Sequence, residues 1–350
     1  FTNNTWGLGF RADGELFGST ANGAPSFFVG APKTLLAKAL PDAPGAAPVF
    51  DSPRFHPALA QLHQGDFFGE YTAGAGHAFV SGDRLPAGWN ERSALVCGPT
   101  GHLVGRFNAY PEGSGWKTQD AFNACVSIDD WFCPVQAEVG PDGAIWIADF
   151  AQFLILHNLP GNPERGLPQV DYGAGNAHLN PLRDSEHGRI FRLVRKRTKP
   201  EPFSLAGADT AQLVQALSHP NRFWRDTARR ILVEEQRTKA IPALLTLESP
   251  DALRTLAGLK ALASDAGREA LERALRSGSL DVQKAALDAL PATDACATLL
   301  ARSGLLESSS LDLARHALLA AARMPSSQAI GVALASRALV PTGHDGWLQQ

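Results

Sequence analysis

Along the first half of the chain, apolar and polar positions alternate in short runs broken by glycine. In Gly7-Leu8-Gly9-Phe10-Arg11-Ala12-Asp13-Gly14-Glu15-Leu16-Phe17 the alternation flanks an Asp-Gly pair, which predicts a β-hairpin closed by a type I′ turn. Val139-Gly140-Pro141-Asp142-Gly143-Ala144-Ile145-Trp146-Ile147-Ala148-Asp149 repeats the design, and Cys97-Gly98-Pro99-Thr100-Gly101-His102-Leu103-Val104 is a weaker copy. The turn glycines Gly14, Gly101 and Gly143 lie 87 and 42 residues apart. A 42-residue unit, with one degenerate unit in the longer gap, suits four-stranded propeller blades better than a sandwich, whose turns recur at shorter intervals. A propeller ring takes about four to eight blades. The expectation is therefore an all-β propeller of which this chain carries the C-terminal blades, ending in a strand over 188–194. The stretch from Pro160 to Asp184, rich in Gly, Asn and Pro, reads as a long excursion between strands, where ligand contacts tend to concentrate.

Beyond residue 198 the apolar period becomes helical. Ala216-Leu217…Arg225…Ala228…Leu232 aligns with Leu245…Arg254…Ala257…Ala261, then with Ala274-Leu275…Gln283…Ala286…Leu290, in steps of 29 residues. A further unit follows around Arg315 and Ala317. Two amphipathic helices per unit with small residues at the crossing predict an all-α HEAT-like solenoid. Pro220 and Pro250 stand before second helices, where a helix-start proline costs nothing. Phe223 and Trp224 of the first unit are expected to dock on the propeller.

Composition sharpens the boundary. Residues 1–197 hold 25 of the 33 Gly, 16 of the 24 Pro and 16 of the 18 Phe, whereas Ala and Leu fill 57 of the 153 positions in 198–350. The predicted architecture is a mixed multidomain chain: 1–197 the propeller part, 198–350 the helical repeats, joined by the Pro-bearing segment 195–202. The net charge of −3 and a longest basic run of only Arg195-Lys196-Arg197 argue against a nucleic-acid partner. No run of eighteen apolar residues predicts a membrane span. The four cysteines are too few for a disulfide scaffold and show no C-x-x-C spacing. G-x-S-x-G elbows, Walker loops and dinucleotide fingerprints are absent from the sequence. The chain begins at Phe1 in what reads as strand sequence, so it is expected to be an excerpt of a longer protein.

Several strings together resemble one family. They are Gly69-Glu70-Tyr71-Thr72-Ala73-Gly74-Ala75-Gly76-His77, Asp130-Trp131-Phe132-Cys133-Pro134-Val135, Val139-Gly140-Pro141-Asp142-Gly143, Leu182-Arg183-Asp184…His187-Gly188-Arg189-Ile190 and Trp224-Arg225-Asp226-Thr227-Ala228-Arg229-Arg230-Ile231-Leu232. The chain is similar along nearly its whole length to the membrane-bound dehydrogenase domain family of planctomycetes and verrucomicrobia. That resemblance implies an exported protein of the periplasm or cell envelope, with a glucose/sorbosone dehydrogenase-like propeller and a HEAT array. A haem-binding C-x-x-C-H module would follow it, outside this segment. By analogy the propeller cofactor would be pyrroloquinoline quinone with Ca²⁺, and electrons would pass to haem c.

Within that frame, His77, after the small-residue turn Gly74-Ala75-Gly76, is the candidate base that takes a proton from a sugar hydroxyl. Asp130 is the second catalytic candidate. Trp131 beside it would give a sugar a stacking face at the mouth of an inner strand. Asp149, His157 and Asn158 are the remaining substrate-binding candidates. Arg183, Asp184, His187 and Arg189 read as an ion-pair latch, and Cys133 as a small buried apolar residue. No metal-ligand spacing is diagnostic among the histidines. Two functions follow. One is a sugar or alcohol dehydrogenase delivering electrons to a cytochrome c module. The other is a non-catalytic envelope scaffold that binds polysaccharide or protein through the propeller and recruits a protein partner along the helical array.

Overall fold

The structure is a computed structural model. It describes residues 5–36, 45–62, 69–82, 84–152, 155, 184, 186–199, 202–340, 345 and 348. Strands β1 (Thr5–Phe10), β2 (Leu16–Thr20), β3 (Phe27–Val29) and β4 (Ala46–Pro48) form one antiparallel sheet, with a single helical turn, α1 (Lys33–Leu36), before β4. A second antiparallel sheet holds β5 (Ala75–Phe79), β6 (Ser93–Gly98), β7 (Leu103–Glu112) and β8 (Gly115–Val126). The third holds β9 (Pro134–Val139), β10 (Ile145–Asp149) and β11 (Arg189–Leu193).

The expected propeller is not what forms. The described strands make three separate small antiparallel sheets followed by a helical region, with no closed barrel or propeller among the described residues. The reason lies in the spacing that suggested a ring. Gly14 closes the β1–β2 hairpin and Gly143 the β9–β10 hairpin, but Gly101 sits between β6 and β7, the second and third strands of their sheet. The 42-residue interval therefore compares turns at unequal places, and a local turn signal carries no information on whether sheets close on one another.

Turn chemistry explains the two matching hairpins. In each, the first residue's N–H reaches the carbonyl four residues on (Arg11 to Glu15, 2.9 Å; Gly140 to Ala144, 2.9 Å), and the glycine N–H bonds back to the first residue's carbonyl. Gly14 (φ +99°) and Gly143 (φ +76°) occupy the position that needs positive φ. This is a longer turn closed by a glycine bulge, in place of the two-residue type I′ turn the Asp-Gly pair suggests. In the third copy the left-handed residue is His102 (φ 55°), one place after Gly101.

Two apolar clusters join the sheets. Phe17, Phe28, Phe79, Ala94, Ala109 and Trp116 pack the first sheet on the second. Val80, Leu95, Cys97, Val104, Phe132, Ala137, Ile145 and Ile147 pack the second on the third. β1 lies across β5 backbone to backbone. A Cβ on Gly7 would meet Gly76 at 2.3 Å, and one on Gly9 would stand 1.8 Å from the His77 carbonyl oxygen. The intervening residues Trp6, Leu8 and Phe10 consequently face outward and are exposed.

The helices are α2 (Thr210–Ala216), α3 (Arg222–Glu234), α4 (Ile241–Leu244), α5 (Pro250–Gly258), α6 (Asp265–Leu275), α7 (Leu280–Ala289), α8 (Asp294–Arg302), α9 (Leu311–Ala321) and α10 (Gln328–Ala338). They share one Ala/Leu core that runs from Leu205 to Ile330. Polar N-caps start most of them: Asp209, Asn221, Ser249, Ser264, Thr293, Ser310 and Ser327 each accept a backbone N–H. Pro250 is the first residue of α5, while Pro220 stands one place before the Asn221 cap. Helices α3, α5, α7 and α9 stack in one row. Among the described residues no helix is long and apolar enough to cross a membrane.

Candidate functional site

The row of helices lies against the turns of the sheets. Asn221, the cap of α3, donates from Nδ2 to the Gly140 carbonyl (2.8 Å), and the Trp224 indole N–H donates to the Pro141 carbonyl (2.8 Å), so the start of α3 sits on the β9–β10 turn. Arg222 donates to the Phe10 carbonyl, and Arg254 of α5 donates to that of Ala12 (2.7 Å). Trp224 thus docks on a sheet turn, where the sequence suggested a propeller; among the described residues that turn belongs to no closed ring.

Farther along the row, the first hairpin turn enters a buried ion cluster. Lys284 of α7 bonds Asp13 (3.2 Å) and Asp312 (2.6 Å). Arg315 of α9 pairs with Glu15 and Asp312, and also donates to the carbonyls of Ser114 (2.7 Å) and Gly30 (2.9 Å). His316 lies between Glu15 (2.9 Å) and Asp288 (3.1 Å). Asp13, Glu15, Lys284, Arg315 and His316 are all buried. Burial works against charge on His316, yet its hydrogen bonds to the carboxylates of Asp288 and Glu15 prevail and lift its pKa to about 9. Burial likewise raises the Glu15 carboxyl, but His316, Arg315 and Lys284 outweigh it and hold the group below the usual carboxylate range. Glu15, Asp312 and His316 stand close enough together to ligate a metal ion. Lys284 and Arg315 already supply the positive charge there, so the arrangement is an interdomain ion cluster.

Between β1, β5, β9 and α3 opens a cleft of about 510 Å³, within the size range of small-ligand sites. The glycine-driven alternation of β1 delivers Leu8 and Phe10 to it, and α3 contributes Phe223, 40% exposed. Its charged rim is Glu138, Arg222, Asp226 and Arg230. Arg222 is paired with Asp226 (3.0 Å), and Arg229 takes the other oxygen of that carboxylate (2.8 Å). Arg230 is exposed and has no partner among the described residues.

His77 borders this cleft without presenting its ring to it. The side chain is fully buried, its Nε2 is 3.1 Å from the Ser26 hydroxyl, and its ring stacks on Phe17 at 5.8 Å. Burial pushes its pKa down to about 3, so the imidazole is neutral and a weak base. Asp149 is spent on structure: one oxygen accepts the Cys133 (2.7 Å) and Ala151 (3.0 Å) N–H groups, the other the Arg189 guanidinium (2.6 Å). Arg189 continues to Asp129 (2.8 Å), whose carboxyl is raised by burial but lowered further by the Trp131 N–H and Arg189. Asp130 and Trp131 occupy the turn before β9, closed by Phe132 N–H on the Asp129 carbonyl (2.9 Å), on the same corner as Asp149. Asp184 bonds the His187 ring at 2.8 Å. Cys133 is buried, and burial together with Asp149 pushes its thiol up to about 12. His157 and Asn158, with His178 and Arg183, lie outside the described residues.

The structure therefore gathers Asp130, Trp131 and Asp149 on one corner and seats His77 among Ser26, Phe17 and Phe79. These positions do not make a cradle for pyrroloquinoline quinone with Ca²⁺: the one imidazole is inaccessible, and the buried carboxylate is saturated by two N–H groups and an arginine. Sequence reasoning passed over the cleft residues Phe10, Phe223 and Arg230 as cleft residues, and the ion cluster altogether. The alternation in Trp6-Gly7-Leu8-Gly9-Phe10 was the available signal, since glycine at every second place leaves the other face of the strand to large side chains.

Fold and geometry together define a class: small antiparallel sheets fastened by their turns to one face of a helical row, with an open cleft at the junction. The chain belongs to the family described as Domain of unknown function (DUF7133), whose model matches residues 1–197. No curated protein matches the chain.

Proposed function

We propose that this chain is a non-catalytic carbohydrate-binding module whose ligand sits in the cleft between β1, β5, β9 and α3. The observation that carries this reading is the grouping in one cleft of the exposed aromatic residues Phe10 and Phe223 with the exposed guanidinium of Arg230, which has no partner among the described residues. Aromatic rings pack on the apolar faces of sugar rings, and a free arginine pairs with a carboxylate, so a uronate-bearing glycan is the ligand class favoured. The bordering histidine, His77, is neutral and buried, so it does not serve as a base for a ligand in the cleft. The row α3, α5, α7 and α9 is already covered by the sheets of the same chain, which argues against a protein partner along that face. A periplasmic or envelope location, implied by the family resemblance, would bring such a polymer within reach.

The test is calorimetric titration with soluble oligosaccharides, neutral (cello- and xylo-series) and acidic (oligogalacturonides). The acidic series is expected to bind, and Phe223→Ala and Arg230→Ala are each expected to weaken it at least tenfold while thermal stability stays unchanged. Absence of binding by every sugar, or binding indifferent to both substitutions, overturns the reading.

A further inference from the structure

A second cleft, of about 570 Å³, opens beside the start of α2, on the other side of Trp224 from the first. Phe203 (41% exposed) and His219 wall it, their ring centres 4.5 Å apart. Ser204, Gln215 and Ser218 stand around it with exposed polar ends. The Asn221 N–H lies 3.0 Å from His219 Nδ1, which holds the ring against the wall of the cleft. Trp224 links the two clefts. Its ring meets Phe203 edge-on at 5.0 Å on one side and Phe223 at 5.1 Å on the other. Its indole N–H is anchored on the Pro141 carbonyl, so the ridge Phe203–Trp224–Phe223 is held rigid by the sheet turn beneath it.

From this ridge we infer that the two clefts are successive subsites for one linear glycan, which crosses the aromatic ridge and rests at least one sugar in each. The inference rests on the carbohydrate reading of the Phe223 cleft. Two aromatic platforms on one rigid support, each flanked by hydroxyl, amide, imidazole or guanidinium groups, match a polymer that repeats an apolar ring face and hydroxyl edges. A peptide would call for a buried apolar anchor pocket. The second cleft offers none, because Leu205 and Ala216 turn into the helical core. Apart from Phe203 and His219 at the wall, its remaining side chains are small or polar.

The experiment titrates the intact chain with oligogalacturonides of two to eight residues. Affinity is expected to climb at least tenfold from the shortest to the longest. Phe203→Ala, an exposed position, is expected to abolish that climb. Gln215→Ala is expected to do the same in part, and circular dichroism checks that both variants are folded. Dimer binding with no gain in length, or a gain that survives both substitutions, overturns the two-subsite inference and leaves the Phe223 cleft as a single site. Failure of every length to bind, or selective binding of an unstructured peptide pool instead, overturns both.

Discussion

Two buried histidines titrate at opposite ends of the accessible range. His316 has its pKa raised to about 9 in the folded chain, against an ordinary value of 6.5. Its contribution to stability is complete below pH 6.5 and is lost as pH rises through 9. Linkage puts that loss on the order of 3 kcal/mol. His77 has its pKa lowered to about 3. Its neutral form is the native one, so its contribution is present above pH 6.5 and declines as the medium turns acidic toward 3. The opposed slopes meet near the ordinary histidine value, where the melting temperature is expected to peak. Scanning calorimetry between about pH 4 and 10 checks this. His316→Gln should flatten the alkaline limb and His77→Gln the upper part of the acid limb. An alkaline limb as steep in His316→Gln as in the wild type would show that the cluster does not hold the proton.

At the scale of elements, the crossing of β1 over β5 is the tightest demand the fold makes on sequence. Gly9→Ala places a methyl against the His77 carbonyl. It is expected to cost at least about 1–3 kcal/mol, as overpacking does. Gly88→Ala, with nothing within 4 Å of the added atom, should be near neutral. Denaturant midpoints of the two variants decide the point: equal midpoints would mean that β1 and β5 are not in backbone contact. The same elements show what was readable beforehand. Hairpins at Asp13-Gly14 and Asp142-Gly143 were legible because turn chemistry is local. The succession of helices was legible too, because Arg225, Arg254 and Gln283 follow one another at 29-residue steps within an Ala/Leu period. Turn type was not, since an Asp-Gly pair serves both the two-residue turn and the longer bulged one. Closure of the sheets was not either, because it depends on contacts between sheets rather than on intervals along the chain.

Across the whole molecule, stability depends on pairs far apart in sequence. Arg315 and Glu15 are 300 positions apart, Lys284 and Asp13 are 271 apart, and no periodic pattern points from one to the other. That separation is why the cluster cannot be read along the chain, whereas His77 stands out by its local glycine turn and lies buried among Ser26, Phe17 and Phe79. Such a buried cluster ties two bodies into one cooperative unit. Breaking one partner of a buried pair costs about 3–5 kcal/mol. Arg315→Met is therefore expected to split a single calorimetric transition into two, the sheet part melting first. A variant that still melts in one step at the wild-type temperature would show that the cluster does not couple the parts.

The basic side chains Arg254, Lys284 and Arg315, one from each of three successive row helices, each grip a chosen part of the sheets: the Ala12 carbonyl, the Asp13 carboxylate, and the Gly30 and Ser114 carbonyls. Free-standing helical repeats gain or lose units with little penalty, because each unit needs only its neighbours. Here the helices act as a ruler whose marks are fixed by the sheets. Inserting or deleting one pair between α5 and α9 would move every later basic residue off its mark, so the length of this array is constrained by its partner and cannot drift as an isolated repeat would.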